Sequence, residues 1–289
     1  MSDDRRGSER RLGRVALVTV AVLAVAWLAL VLLVRPSNDR DWSPDMVRLP
    51  AAEFHGDSVT VTNVRNNLYR SVDDFDVRWE DRRYDLQRLE SVWFVVEPFS
   101  GVPGPAHTFV TFGFGDGEFV GISVELRRER GEHFSPIKGL LRQYELTYVV
   151  ADERDLIGLR ANHRRDSVYL YPVRTTTERM RALFTAMLTR ANALAAHPEF
   201  YNTLTSTCTT NIVSHINDIA PRRVPLSYKV LLPAFADELA YDIGLLDSEL
   251  PFEQMRAAHR INQAAAEFAD RPDFSVGIRR GLAGGSTGG

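Results

Sequence analysis

The sequence predicts an α+β domain with an antiparallel sheet, preceded by one transmembrane helix. Three observations give this fold class. A run of uncharged residues lies near the N-terminus, short apolar segments with strand periodicity follow it, and amphipathic helical repeats occupy the C-terminal part. Strands grouped before helices are typical of an α+β domain, in which the sheet and its helices are segregated along the chain.

The composition is that of a globular protein and excludes several function classes. The 289 residues include 35 Lys and Arg and 38 Asp and Glu, which gives a formal net charge of -3. Both signs are interspersed along the body, so no basic face for nucleic acid is indicated. The sequence also lacks Cys/His spacing of the zinc type, a Walker loop and a GxGxxG fingerprint. It therefore predicts no nucleic-acid partner, no metal and no cofactor.

Residues 15–34 are predicted to be a transmembrane signal anchor. They carry no charge, and a helix of 20 residues spans ~30 Å, which matches the hydrocarbon core of a bilayer. Five arginines lie in residues 1–14, whereas two follow the segment, at Arg35 and Arg40. The positive-inside rule therefore places residues 1–14 in the cytoplasm as a short tail and the folded body outside it.

Three other interpretations of this segment stay open. Ala24-Val25-Ala26 resembles a signal-peptidase site, which would make the segment a cleaved signal peptide. A buried helix of a soluble protein and an anchor of inverted topology are the other two. Attachment of a lipid to an N-terminal cysteine is excluded, because the single cysteine is Cys208, and one cysteine also precludes an internal disulfide.

The body begins with a predicted linker and continues into a strand-rich region. Residues 35–50 contain three prolines among charges and are predicted to be the linker, while residues 51–280 form the domain and the glycine-rich residues 281–289 a flexible tail. The step Asp116-Gly117 between two apolar segments signals a hairpin. Period-two or densely apolar patterns predict strands over 57–64, 91–99, 107–114, 118–126, 144–150 and 168–173.

Four helices are predicted, mainly in the C-terminal part. A short helix is expected over residues 153–160. A capping box of Thr175 and Glu178 starts a second helix, whose apolar positions repeat at helical spacing until Pro198 ends it. A third begins near Cys208, and a fourth covers 251–269.

Cys208 is the candidate nucleophile. Ser206 or Thr207 is a suitable N-cap, so Cys208 falls in the first turn of its helix. There the helix dipole and the free backbone N–H groups lower the pKa of a thiol and can hold an oxyanion. Helical spacing places Cys208 on one stripe with Ile212 and Ile216, which directs the sulfur toward the protein body. A small, inert core cysteine would occupy the same position, and both interpretations stay open.

His107 is the candidate base, with Glu125 as its partner. If the hairpin folds about Asp116, residues whose numbers sum to about 232 face each other, and Glu125 then lies opposite His107. A carboxylate there would hold the imidazole in one tautomer. A bulge would turn Glu125 to the other face, and a plain surface pair is the alternative. His215 lies ~10.5 Å along the axis from Cys208, too far for a hydrogen bond. The remaining histidines are expected at the surface: His55, His133, His163, His197 and His259.

An ordered series of segments is more specific than any single motif in it. Its central members are AHTFVTFGF, VGISVELRRERGE, ERDLIGLR, VYLYPVRTTTERMRALF and FYNTLTSTCTTNI, with NVRNNLYRS upstream and LLPAFADELAYDIGLLD and PDFSVGIRR downstream. Together these segments, which extend over about residues 40–280, resemble the Lnb N-terminal periplasmic domain family.

The resemblance implies a circularly permuted papain-like (NlpC-like) domain, in which a histidine on a strand precedes a cysteine on a helix. It implies Cys208 as the nucleophile, His107 as the base and Glu125 as the residue that orients the base. This chain departs from the family pattern at Ser206-Thr207, where an Asn often precedes the Cys, and in having no further apolar spans after the domain.

The function implied by the resemblance is that of a thiol acyltransferase anchored in a bacterial inner membrane, with its main domain in the periplasm. Such an enzyme acts through an acyl-thioester on the acyl groups of a membrane lipid or lipoprotein substrate. Two alternatives stay open. One is a cysteine hydrolase of the cell envelope, acting as a peptidase, amidase or esterase. The other is a non-catalytic interaction module of the envelope.

Overall fold

The computed structural model describes residues 2–101 and 103–282, in two units divided after Ser37. The first unit consists mainly of helix α1 (Ser2–Leu33), which covers most of the predicted anchor. Within the described part of the chain, no helix combines the length and the apolar character that crossing a membrane requires.

The second unit is a mixed α+β domain built on a mainly antiparallel sheet. Its strands are β1 (Ala51–His55), β2 (Ser58–Arg65), β3 (Leu68–Tyr69), β4 (Phe75–Asp76), β5 (Trp79–Asp85), β6 (Leu89–Pro98), β7 (Ala106–Phe114), β8 (Glu118–Arg127), β9 (Glu145–Ala151) and β10 (Tyr169–Pro172). The large sheet has the order β1-β2-β9-β8-β7-β6-β10, with β5 also paired to β2, while β3 and β4 pair separately. The β2–β9 pair is parallel, and the other pairs of the sheet are antiparallel.

Helices lie on both faces of this sheet. They are α2 (Pro136–Leu140), α3 (Thr177–Ala196), α4 (Cys208–Ile219), α5 (Tyr228–Leu231), α6 (Ala236–Asp242), α7 (Phe252–Ala258), α8 (Asn262–Glu267) and α9 (Phe274–Gly277), with a π-helical segment over Arg154–Arg164. The predicted apolar stripe of α3 is buried against one face of the sheet, although its N-cap is Thr176 and not Thr175. The π-helical segment and α8 pack on the opposite face.

The β7–β8 hairpin has the predicted register in the half that adjoins its turn. Val110 faces Ile122 and Phe112 faces Val120, so the paired numbers sum to 232. The turn contains Asp116, whose φ of 67° lies in the left-handed region that Asp and Gly tolerate best. Beyond the Val110–Ile122 pair the two strands separate, and β8 continues its pairing with β9 alone. This opening at one end of the sheet positions the candidate site.

The folded body begins earlier than the prolines of residues 35–50 suggested. From Asn38 onward the chain packs on the domain, and Trp42 and Met46 are buried. The guanidinium carbon of Arg127 lies 4.1 Å from the ring centroid of Trp42, and this cation–π contact helps to hold the segment on the domain. At the other end Leu282 packs against the core, while residues 283–289 of the predicted tail lie outside the described residues.

The helix predicted over 251–269 is two helices, α7 and α8. The chain between them pairs with β10, because the carbonyl of His259 accepts a hydrogen bond from Leu170 and the N–H of Ile261 donates to Val168. Backbone pairing with a strand edge replaces intrahelical bonds there. The expectation that His259 lies at the surface is wrong, since the residue is buried and its Nδ1 lies 2.8 Å from the carbonyl oxygen of Met255.

Candidate active site

Cys208 is the first residue of α4, as its sequence context predicted. The N-cap is Thr207, whose hydroxyl accepts a hydrogen bond from the N–H of Thr210, and the Thr210 hydroxyl accepts one from the N–H of Thr207. These reciprocal bonds fix the start of the helix. The side chain of Cys208 points inward and only 5% of the residue is exposed. The N–H of Thr210 is taken by this cap, whereas the N–H groups of Cys208 and Thr209 have no acceptor within the helix and lie beside the sulfur.

The N-terminus of α4 lies at the end of β7 where that strand has parted from β8. The backbone and side chain of Thr108 lie close enough to Cys208 to help lower the pKa of its thiol. The Thr108 hydroxyl also lies 3.0 Å from the hydroxyl of Thr209, which is itself 3.8 Å from the Cys208 sulfur. Because β7 no longer pairs with β8 here, the polar groups of Thr108 can face the thiol.

His107 contacts both the thiol and Glu125. Its Nε2 lies 2.7 Å from the Ser123 hydroxyl, which donates to Glu125 at 2.8 Å, and 3.2 Å from the same Glu125 oxygen. The imidazole also lies close enough to Cys208 for each group to shift the pKa of the other. Because Nε2 serves the carboxylate side, Nδ1 is the ring nitrogen left for the thiol. The residue is 8% exposed, so His107 and Glu125 are not a surface pair.

Two buried residues that the sequence did not single out complete the charge balance. Arg160, from the π-helical segment, donates from Nε to Glu97 at 2.6 Å and from Nη2 to Glu125 at 2.9 Å. Glu97 is the cross-strand neighbour of His107 on β6. The only signal in the sequence was a carboxylate at the end of the densely apolar segment 91–99. No pattern indicated that Arg160 would reach it.

Opposing charges shift the pKa values of the three candidate residues. Burial would raise the pKa of the Cys208 thiol, but the charge of His107 and hydrogen bonds from His107 and Thr108 lower that pKa to about 7. Burial would lower the pKa of His107, but Glu125 and Cys208 raise it to about 9. Despite burial, His107 and Arg160 hold the pKa of Glu125 well below its usual range. Between pH 7 and 9 the favoured state is therefore a thiolate–imidazolium pair.

Tyr201 is a further buried neighbour of the site that the sequence did not indicate. Burial raises the pKa of its phenol, and negative charge at Cys208 and Glu125 raises it further. The phenol therefore stays neutral and can donate a hydrogen bond at physiological pH. Within residues 2–101 and 103–282 no cluster of His, Cys, Asp and Glu side chains has the arrangement of a metal site.

A large apolar cavity adjoins the nucleophile helix. Its volume is about 810 Å³, and α3, α4 and α6 form much of its wall. Thr209, the residue after Cys208, is part of the lining and brings the cavity to within one residue of the thiol. Most of the lining is aliphatic, and the lining also includes arginines at positions 174, 179, 222 and 223. Apolar pockets of ~300–1,000 Å³ are typical of small-molecule and lipid sites.

Substituting Glu125 with glutamine is expected to raise the pKa of the Cys208 thiol. Removing the carboxylate lowers the pKa of His107, which weakens the imidazolium that stabilises the thiolate. We expect turnover to fall by ~10–10³-fold and the midpoint of thiol alkylation to move above pH 7. The measurement is the rate of iodoacetamide alkylation against pH, for the wild type and Glu125→Gln.

Glu153→Gln is the matched control for this prediction. Glu153 is also a buried carboxylate, but it pairs with Arg279 and not with the site. Its substitution should leave the alkylation midpoint unchanged. Identical profiles for Glu125→Gln and the wild type would remove Glu125 from the site.

A comparison with protein-family models agrees with the resemblance that the ordered sequence segments indicated. A family model described as the Lnb N-terminal periplasmic domain matches residues 75–234, which is more than half of the 289 residues and includes His107, Glu125 and Cys208. No curated protein and no solved structure is significantly similar to the chain.

Proposed function

Because the chain belongs to the Lnb N-terminal periplasmic domain family, we propose that it is a thiol acyltransferase of the cell envelope that works through an acyl-thioester. The observation that carries the proposal is the position of Cys208 at a helix N-terminus, beside the imidazole of His107. A thiol in that position has the lowered pKa that a nucleophile needs at neutral pH. The family itself indicates an envelope location for the folded body.

In the first half-reaction the Cys208 thiolate attacks the carbonyl carbon of an acyl ester. The negative charge that develops on the carbonyl oxygen is stabilised by the N–H groups of Cys208 and Thr209 at the start of α4. As the tetrahedral intermediate collapses, the ester C–O bond breaks and the imidazolium of His107 gives its proton to the leaving alkoxide. The products are an alcohol, a neutral imidazole and a thioester on Cys208.

In the second half-reaction the neutral imidazole acts as a base. It takes a proton from an acceptor amine that attacks the thioester carbonyl, so the C–N bond forms as the C–S bond breaks. The thiolate leaves beside the imidazolium, and the original ion pair is restored. Glu125, held by Ser123 and Arg160, keeps the ring oriented through both steps.

The cavity favours a lipid acyl group over a peptide or a glycan as the substrate. A peptide or glycan would need a cleft with many hydrogen-bonding groups, whereas the cavity wall next to Thr209 is largely aliphatic. Each methylene that leaves water for such a wall contributes ~0.8 kcal/mol. A long acyl chain on the Cys208 thioester therefore has a stable place to lie. The hydrolase alternative shares the first half-reaction and differs in using water as the acceptor.

The uncharged residues 15–34 form the membrane anchor in this proposal, with the N-terminus in the cytoplasm and the domain in the periplasm of a bacterial inner membrane. The same proposal assigns the domain to the permuted papain-like class. The order of a strand histidine before a helix cysteine supports this assignment, as does the contact between His107 and the start of α4.

Intact-mass spectrometry of the full chain purified in native lipid tests the proposal. We expect a population carrying one added fatty acyl group, lost on treatment with neutral hydroxylamine, which cleaves thioesters. The same mass is expected to include residues 1–26, which cleavage of a signal peptide after Ala26 would remove.

Variants of Cys208 and His215 supply the controls. Cys208→Ala should carry no adduct, and Cys208→Ser should carry none that hydroxylamine removes. His215→Ala, a change on the same helix outside the dyad, should keep the adduct. An unmodified thiol in the wild type, incubated with membrane lipid and without an acceptor, would contradict the acyltransferase function.

A further inference from the structure

The segment formed by residues 219–232 exposes an unusual group of apolar side chains. Leu226 is fully exposed, and Tyr228, Leu231 and Leu232 are at least 40% exposed. Neighbouring exposed apolar residues of this size mark a surface that contacts a partner or a membrane. Aliphatic residues together with a tyrosine are the composition found at membrane interfaces.

The charge of the 219–232 segment is entirely positive. It contains Arg222, Arg223 and Lys229 and no Asp or Glu. Lys229 forms ion pairs with two carboxylates of α6. The two arginines are exposed, and within residues 2–101 and 103–282 neither forms an ion pair. The surface therefore combines apolar side chains with two positive charges, which complements an anionic lipid surface.

The 219–232 segment lies at the same end of the sheet as the candidate site. Directly after it, the N–H of Ala234 donates to the carbonyl of Gly104 at 3.0 Å. Gly104 stands three residues before His107, at the end of β7 that bears the dyad. The exposed apolar surface is therefore near the opening that holds Cys208.

The segment also forms part of the cavity wall. Val224, Pro225 and Val230 line the cavity, together with Arg222 and Arg223. The same stretch of chain thus presents one side to the apolar cavity and the other to the exterior. Contact of its outer side with lipid would bring the cavity against the acyl region of a bilayer.

We propose that the 219–232 segment lies in the interface of an anionic lipid bilayer and delivers acyl chains from it to the cavity. Leu226 and Leu231 enter the acyl region, while Arg222 and Arg223 bind lipid phosphates. This inference deepens the proposed function and rests on it for the identity of the substrate. It assigns the source of that substrate to the leaflet on which the domain rests.

Fluorescence quenching of the full chain in lipid nanodiscs tests the proposal. Because Cys208 is the only cysteine, a Cys208→Ser background allows one probe to be placed at will. An environment-sensitive NBD group is attached at Leu226→Cys or, as the matched control, at Val276→Cys. Val276 is also partly exposed, but it lies against Gly117 at the other end of β7, ~25 Å from the site end.

The nanodiscs contain phosphatidylcholine alone or with a quarter of phosphatidylglycerol, each with and without lipid that carries a doxyl quencher near the top of its acyl chain. In the anionic discs we expect the probe at 226 to lose about half of its emission, since interfacial side chains lie ~5–10 Å below the headgroups. The probe at 276 should be unaffected, and quenching at 226 should be weaker in neutral lipid.

Several outcomes would overturn the proposal. Equal quenching at 226 and 276 would show that the segment has no special contact with lipid. A blue shift at 226 without quenching would mean that protein, such as a second copy of the chain, covers it. Equal quenching in neutral and anionic lipid would show that the segment has no preference for an anionic surface, which contradicts the role given to the arginines. Since the background lacks the thiol, a failure here is independent of whether Cys208 forms an adduct in the wild type.

Discussion

Replacing His107 with alanine is expected to lower the rate of acyl transfer by ~10²–10⁴-fold, because the imidazole supplies both the acid and the base. It should also raise the pKa of Cys208 above about 7, since burial then acts without an opposing charge. With an ordinary thiol pKa of ~9, the thiolate fraction at pH 7 would fall from about a half to roughly one in a hundred.

Two readouts separate these effects. A more basic thiolate is intrinsically more nucleophilic, and a rise of two pKa units increases the reactivity of each thiolate roughly 8-fold. This gain offsets most of the lost thiolate, so the alkylation rate at pH 7 should fall by only roughly 6-fold. The pH midpoint of alkylation is therefore the sharper measurement, and it should move upward by ~2 units. Acyl transfer, which also needs proton transfer, should fall much further.

His215→Ala is the control for His107→Ala. His215 lies on the same helix as Cys208, but its Nε2 is 2.8 Å from the Tyr148 hydroxyl and it takes no part in the dyad. Its substitution should leave both the midpoint and the transfer rate unchanged. If His107→Ala kept the wild-type midpoint, another group would have to be the source of the low thiol pKa.

Replacing Arg160 with methionine is expected to destabilise the fold by ~3–5 kcal/mol. Methionine keeps much of the packing but removes the cation between the carboxylates of Glu97 and Glu125, and breaking a buried ion pair leaves uncompensated charge. Burial raises the pKa of Glu97 even with the arginine present, so Glu97 will take up a proton first in the variant.

The measurement is thermal or denaturant unfolding of the wild type and Arg160→Met between pH 5 and 8. The difference in stability should shrink as the pH falls, because protonation removes the unpaired charge, and Glu97→Gln added to Arg160→Met should restore part of the loss. Arg65→Met is the control. It breaks the buried pair of Arg65 with Asp155 and should destabilise similarly, yet leave the alkylation midpoint unchanged. A pH-independent cost in Arg160→Met would show that lost packing, and not charge, was responsible.

The sequence determined those features that depend on local spacing. Strand alternation and the Asp116-Gly117 turn predicted the hairpin and its register, which holds as far as the Val110–Ile122 pair. His107 and Glu125 lie beyond that pair, yet their side chains approach to 3.2 Å. The N-cap preference of Thr207 placed Cys208 in the first turn of α4. These features follow from short-range geometry, in which one turn or one cap sets the position of the residues around it.

Other features were decided by tertiary packing alone. Whether Cys208 meets His107 depends on the parting of β7 from β8, which no local pattern encodes, and on how α4 docks into that opening. Arg160 reaches Glu97 across 63 positions of sequence because a π-helical segment covers that face of the sheet. The cavity and the 219–232 segment likewise arise where several helices meet. Local propensity fixes the direction of a side chain within its own element, whereas the partner it meets is set by the packing of distant elements, and packing carries most of the free energy of folding.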